Sequence, residues 1–158
     1  MLRKELVSNL NGRVVVVGVG DIGRGDDGAG PLVACMLAEA GVKQVIDGGT
    51  SPEIHTWRLR ELHPDCVLFV DAVDFRGNPG DVALLQPGQL RSTGFDTHRA
   101  PLKLTMEYLE QELRCKCYLL AIQPRDVRRI ACMCDEVRHS AASVAKMLKP
   151  RLARHREN

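Results

Sequence analysis

Apolar positions in this chain follow two rhythms. Residues 14–19, 66–70 and 117–122 are short, mainly apolar runs with little alternation, and 42–46 is a weaker one that contains Lys43 and Gln44. That is how strands read when a parallel sheet is covered on both faces. Between the runs the spacing lengthens to three and four. Pro31 stands where a first helical turn favours it, and the helix it opens runs to Gly41, which can take the left-handed stop. Thr50 or Ser51 can cap a second helix carrying Pro52 and Glu53, with Ile54, Trp57 and Leu62 as a partial apolar stripe. From Pro101, Leu102, Met106, Leu109 and Leu113 share one face; from Asp135, Val137, Ala141, Val144 and Leu148 do. Residues 81–86 alternate weakly as one more strand after the Asn78-Pro79-Gly80 turn.

Strands alternating with helices at these lengths predict an α/β fold, a three-layer αβα sandwich around a mostly parallel sheet of about five strands. Residues 1–148 form its single domain, and 149–158 a basic, frayed tail. Ligands of such sheets bind beyond the carboxyl ends of the strands, so the residues after strands one, three and four are the first candidates for chemistry.

Composition narrows the classes. With 44% hydrophobic and 27% charged residues the chain is an ordinary globular one, and its longest apolar runs fall short of a membrane span. The first residues, MLRKELVSNLNGR, lack the apolar centre of a signal peptide, which makes the cytoplasm the expected location. The tail has Lys149, Arg151, Arg154 and Arg156 against Glu157, which exceeds the net +2 of the whole chain and leaves the body close to neutral. A nucleic-acid surface would need clustered cations and stacking aromatics, and aromatics are only 4%. Of the six cysteines, Cys35 and Cys66 read as small core residues. Cys115/Cys117 and Cys132/Cys134 are spaced too closely to match the usual pairs of a four-cysteine zinc site.

The stretch 14–31 concentrates the chemistry. Gly18-x-Gly20-x-x-Gly23 matches the dinucleotide fingerprint, and Asp47 ends the next strand where a ribose-binding carboxylate would sit. Against that reading, residues 24–30 separate the glycines from a helix that starts at Pro31, and two aspartates there would repel a pyrophosphate. No P-loop lysine and no G-x-S-x-G elbow is present. Acidic residues suit the edge better. Asp26, Asp27, Asp71 and Asp74 belong to two loops at one end of the sheet, and His98 precedes the Pro101 helix. Two carboxylates and an imidazole can hold a divalent metal with positions left open, although each aspartate alone could equally cap a helix or close a turn.

These residues also carry a resemblance. Gly25-Asp26-Asp27-Gly28-Ala29-Gly30-Pro31, Val45-Ile46-Asp47-Gly48-Gly49, Phe69-Val70-Asp71-Ala72-Val73-Asp74, Asn78-Pro79-Gly80, Thr97-His98 before Pro101-Leu102, and Ala121-Ile122-Gln123-Pro124 occur in the order found in [NiFe]-hydrogenase maturation endopeptidases. The chain resembles most the branch serving formate-hydrogenlyase and related hydrogenases. The resemblance implies a protease that removes a C-terminal extension from the hydrogenase large-subunit precursor after nickel insertion. It further implies that Asp27, Asp71 and His98 meet the nickel carried by that precursor. Asp21 and Gly23 depart from the asparagine and bulkier residue of most relatives, and Cys132-Met133-Cys134 is unusual among them. A dinucleotide-binding protein and a non-catalytic nickel-binding assembly chaperone are the competing readings.

Overall fold

The computed structural model describes residues 1–91 and 100–154. It contains the strands β1 (Val14–Val19), β2 (Val45–Gly49), β3 (Cys66–Ala72), β4 (Val82–Leu85) and β5 (Lys116–Ile122). The helices are α1 (Leu2–Asn9), α2 (Ala29–Glu39), α3 (Thr56–Leu62), α4 (Ala100–Leu113) and α5 (Asp135–Ala153). Short 3₁₀ turns at Gly25–Gly28 and Pro52–His55 lead into α2 and α3. The sheet order is β2-β1-β3-β5-β4, with every pair parallel except β4 against β5.

Alternate residues of the all-valine start of β1 divide between two cores. Val14 and Val16 join Leu6 of α1 and Leu10 just after it, Val33 and Leu37 of α2, and Val144 and Leu148 of α5. Val15 and Val17 join Leu59 of α3 and Met106 and Leu109 of α4. That division is the αβα sandwich, and it explains why β1 and β3 are buried along their whole length. Among the described residues no helix is long and apolar enough to cross a membrane.

Several local expectations change. β4 is antiparallel, so its start at Val82, not its end, lies beside Ile122 at the carboxyl edge. Segment 73–81 is too short to carry the crossover that a parallel strand needs. It passes over the end of β5 instead, with Val73 N–H donating to Ile122 O, Gly80 N–H to Gln123 O and Gln123 N–H to Asp81 O. Helical backbone begins at Gly25, earlier than Pro31 suggested. α3 begins only at Thr56, which turns Leu59 inward and leaves Ile54 and Trp57 exposed. Cys35, expected in the core, is exposed on the outer side of α2. The last helix continues past Leu148 to Ala153: Leu152 is buried and the Arg151 guanidinium donates to Leu10 O.

Candidate active site

The carboxyl end of β1 becomes a site because its glycines admit other backbone. A Cβ on Gly30 would lie 2.2 Å from Val70 O and 2.3 Å from Val19 O, so α2 touches the main chains of β1 and β3 directly. A Cβ on Gly18 would meet Gly30 O at 2.4 Å, and one on Gly20 would meet Asp27 O at 1.9 Å. The space that a dinucleotide would need above Gly18 and Gly20 is thus filled by the protein's own chain. This is the physical reason the fingerprint does not describe a cofactor cradle.

Of the adjacent aspartates, the two have opposite surroundings. Asp26 is fully buried. Its Oδ2 accepts the N–H groups of Arg125 at 2.7 Å and Asp126 at 3.0 Å, and its Oδ1 accepts that of Cys134 at 2.7 Å. Burial pushes its carboxyl pKa up, but these N–H donors and the Cys134 thiol more than reverse that, and it lies below the ordinary value. Asp26 is therefore a clamp on the chain after β5. The same loop is tied by Asp26 N–H to Asp126 O at 2.9 Å, by Ile130 N–H to Gly23 O at 3.0 Å and by Arg24 Nε to Val127 O at 3.2 Å. Arg128 beside Asp126 holds that carboxyl down to about 2.

Asp27 is half-buried, and its Oδ2 accepts the Asp21 N–H at 2.9 Å, which folds the glycine loop back over the turn. Asp71, next to last in β3, is buried with 6% of its surface exposed. β1 and β3 are adjacent and parallel, with Gly18 opposite Val70, so Asp27 and Asp71 come to the same edge from neighbouring strands. His98 lies outside the described residues. Among the described residues no three His, Cys, Asp or Glu side chains form a group able to hold a metal ion.

Beyond Asp71 the chain is positioned by Gln123, which the sequence offered only as part of the Ala121-Ile122-Gln123-Pro124 stretch and with no role. Its Oε1 accepts the N–H groups of Phe75 at 2.9 Å and Gly77 at 3.0 Å, and its Nε2 donates to Asp74 Oδ1 at 3.1 Å. Asp74, whose Oδ1 also accepts the Arg76 N–H, therefore braces a turn. The cysteine pairs make no joint site, since they lie at opposite ends of β5. Cys115 and Cys117 are buried with their sulfurs 4.0 Å apart. Cys134 donates its thiol to Asp26 at 3.3 Å, and burial, followed by that carboxylate, keeps its pKa raised.

Residues 33–150 match the model of the HycI family, described as hydrogenase maturation protease. The chain belongs to the hydrogenase maturation proteases. It is 35% identical over 138 residues to the hydrogenase 3 maturation protease of Escherichia coli K12, an alignment covering 85% of this chain and 88% of that one. A putative hydrogenase maturation protease of Methanocaldococcus jannaschii is 27% identical over 72% of this chain and 73% of its own length. The crystal structure of the protease HycI from Thermococcus kodakarensis superposes with a TM-score of 0.84 at 26% identity, over 96% of this chain and 98% of that one. A crystal structure of the hydrogenase 3 maturation protease gives 0.75 at 34% identity over 84% and 86%. Within this protease, Asp71 falls inside the stretch matched by the family model and Asp27 just before it.

Proposed function

We infer that this protease removes the C-terminal extension of a [NiFe]-hydrogenase large-subunit precursor in the cytoplasm, after nickel has been inserted. Asp27, Asp71 and His98 meet the nickel, which arrives with the substrate. The observation that carries the reading is the division of labour between adjacent aspartates: Asp26 is consumed by backbone donors, whereas Asp27 stands at the edge shared with Asp71. Carboxylate oxygens with an imidazole nitrogen make a donor set that nickel accepts. Held by these residues, the ion would serve as the recognition element and could supply Lewis-acid chemistry, polarising the scissile carbonyl or activating a water. In this chain, Asp27 and Asp71 orient the loaded centre, and the Asp21 N–H fixes one oxygen of Asp27, leaving its partner oxygen for the ligand. His98 ligates in its neutral form.

The test is incubation of the protease with nickel-loaded and nickel-free precursor, followed by mass analysis of the large subunit. Cleavage of the loaded form alone is expected. Equal cleavage of both forms would remove nickel from the recognition step. Binding of the loaded form without any cleavage would support the chaperone reading instead.

A further inference from the structure

Beside Asp27 the surface carries three exposed apolar side chains on two loops: Ile22 at 81% exposure, Val127 at 40% and Ile130 at 94%. They are held together by the contacts that build the site. Ile130 N–H donates to the carbonyl of Gly23, the residue after Ile22, and Arg24 Nε reaches the Val127 carbonyl. Ile22 in turn sits against the Asp27 turn, since a Cβ on Gly28 would come within 3.3 Å of its Cα. Asp21, the residue before it, donates its N–H to the Asp27 carboxylate.

Ile130 is also in the left-handed region, with φ +65°. For a β-branched side chain that conformation is a true outlier. Loop tips that need it normally use glycine or asparagine. Here the strained residue buries almost none of its side chain in return, so nothing inside the protein accounts for isoleucine at this position. Strain of this kind persists where function holds it, and contiguous exposed apolar side chains mark contact surfaces where single ones do not.

From these observations we propose that Ile22, Val127 and Ile130 form an apolar docking knob for the large-subunit precursor. This deepens the reading above and rests on it. A protein chain whose metal centre reaches the Asp27 carboxylate comes up against this knob, because Ile22 is on the Asp27 loop and the loop carrying Val127 and Ile130 is bonded to it through Gly23 and Arg24. At the rim Arg125 pairs with Glu136 and Arg128 with Asp126, each at 2.6 Å, and the exposed Arg24 and Arg129 add positive charge beside Val127 and Ile130. The segment it takes therefore presents apolar side chains to the knob, and acidic ones are accommodated at its rim.

The decisive variant is Ile130→Gly, which deletes the side chain and relieves the backbone, compared with Ile130→Asp and wild type. Processing rates against precursor concentration, binding of precursor to the protease, and thermal melting are measured for each. Ile130→Gly is expected to melt no lower than wild type, yet to raise KM about tenfold with kcat within twofold, as burial of one aliphatic side chain implies. Ile130→Asp is expected to raise KM further. A KM within twofold of wild type in both variants overturns the docking knob while wild-type cleavage keeps the protease reading intact. If wild type cleaves no precursor, that reading fails; the knob then stands only if wild type binds precursor and Ile130→Gly does not, and falls otherwise. A change in oligomeric state without a change in KM assigns the face to a second copy of this chain and overturns the proposal.

Discussion

Replacing Asp26 tests whether the site's frame depends on one buried carboxylate. In Asp26→Ala, the N–H groups of Arg125, Asp126 and Cys134 lose their acceptor together. Each orphaned buried donor costs about 1–3 kcal/mol. The loop they belong to is partly exposed at Arg125 and Asp126, so some rehydrate, and the sum falls to about 3–5 kcal/mol. Against a native stability of roughly 5–15 kcal/mol that is a large fraction. For a chain of 158 residues, at about 2–4 °C per kcal/mol, it lowers Tm by about 6–20 °C. Asp26→Asn keeps one acceptor oxygen but turns an amide N–H₂ toward one of the donors, and about 2–3 kcal/mol is expected. The sign of the pH dependence follows from the lowered pKa of Asp26. Its contribution is complete above the unfolded carboxylate value near about 4, and is lost as pH falls through the lower folded-state value. The gap between wild type and Asp26→Asn should therefore be widest near neutrality and close in acid. Thermal melts at several pH values check both parts. An Asp26→Ala protein melting within about 2 °C of wild type at neutral pH would refute the clamp, as would a gap that widens in acid.

Asp27→Asn retains an acceptor for the Asp21 N–H and should change stability by less than about 1 kcal/mol while processing of nickel-loaded precursor is lost; melting and the cleavage assay read the two separately. Gly30→Ala places a methyl group on the carbonyls of Val70 and Val19, neither of which can give way without moving a strand. It should cost about 3 kcal/mol or more, seen as a large fall in Tm or insoluble protein. Gln123→Leu strands the N–H groups of Phe75 and Gly77 and should cost about 2–4 kcal/mol. Hydrogen exchange should then show loosened amides at Phe75 and Gly77, just beyond Asp71.

β1, β3 and β5 were legible because short apolar runs bounded by turn residues suit covered strands, and the parallel order of the four strands follows from helices of crossover length; β2 was legible less well, since it starts at Val45 rather than Val42 and ends in Asp47-Gly48-Gly49. Asp27 and Asp71 were legible as edge residues for the same reason. What decides between Asp26 and Asp27, however, is a set of bonds to residues 99 to 108 positions further along. No local pattern reports a partner at that distance, so the two aspartates read alike in the sequence. The antiparallel β4 was available in principle from the length of segment 73–81. The exposure of Cys35 and Trp57 was not, because it depends on where each helix starts, and both are preceded by 3₁₀ turns that shift the phase of every later side chain.

That phase shift has a consequence at Gly25–Gly28. Successive side chains of a 3₁₀ turn are rotated by a third of a turn, so Asp26 can face the interior while its neighbour faces outward. The turn behaves as an indexing gear with two identical teeth. One tooth is engaged by the chain beyond β5, and the other is presented to the outside. Counted from β1, deleting a single residue between Gly20 and Asp26 would not remove an aspartate, yet it would drive Asp27 into the clamp, and inserting one would bring Gly25 there instead. In this loop, length is as much a determinant of the site as composition, and substitutions around it should be tolerated far better than any change in the number of residues.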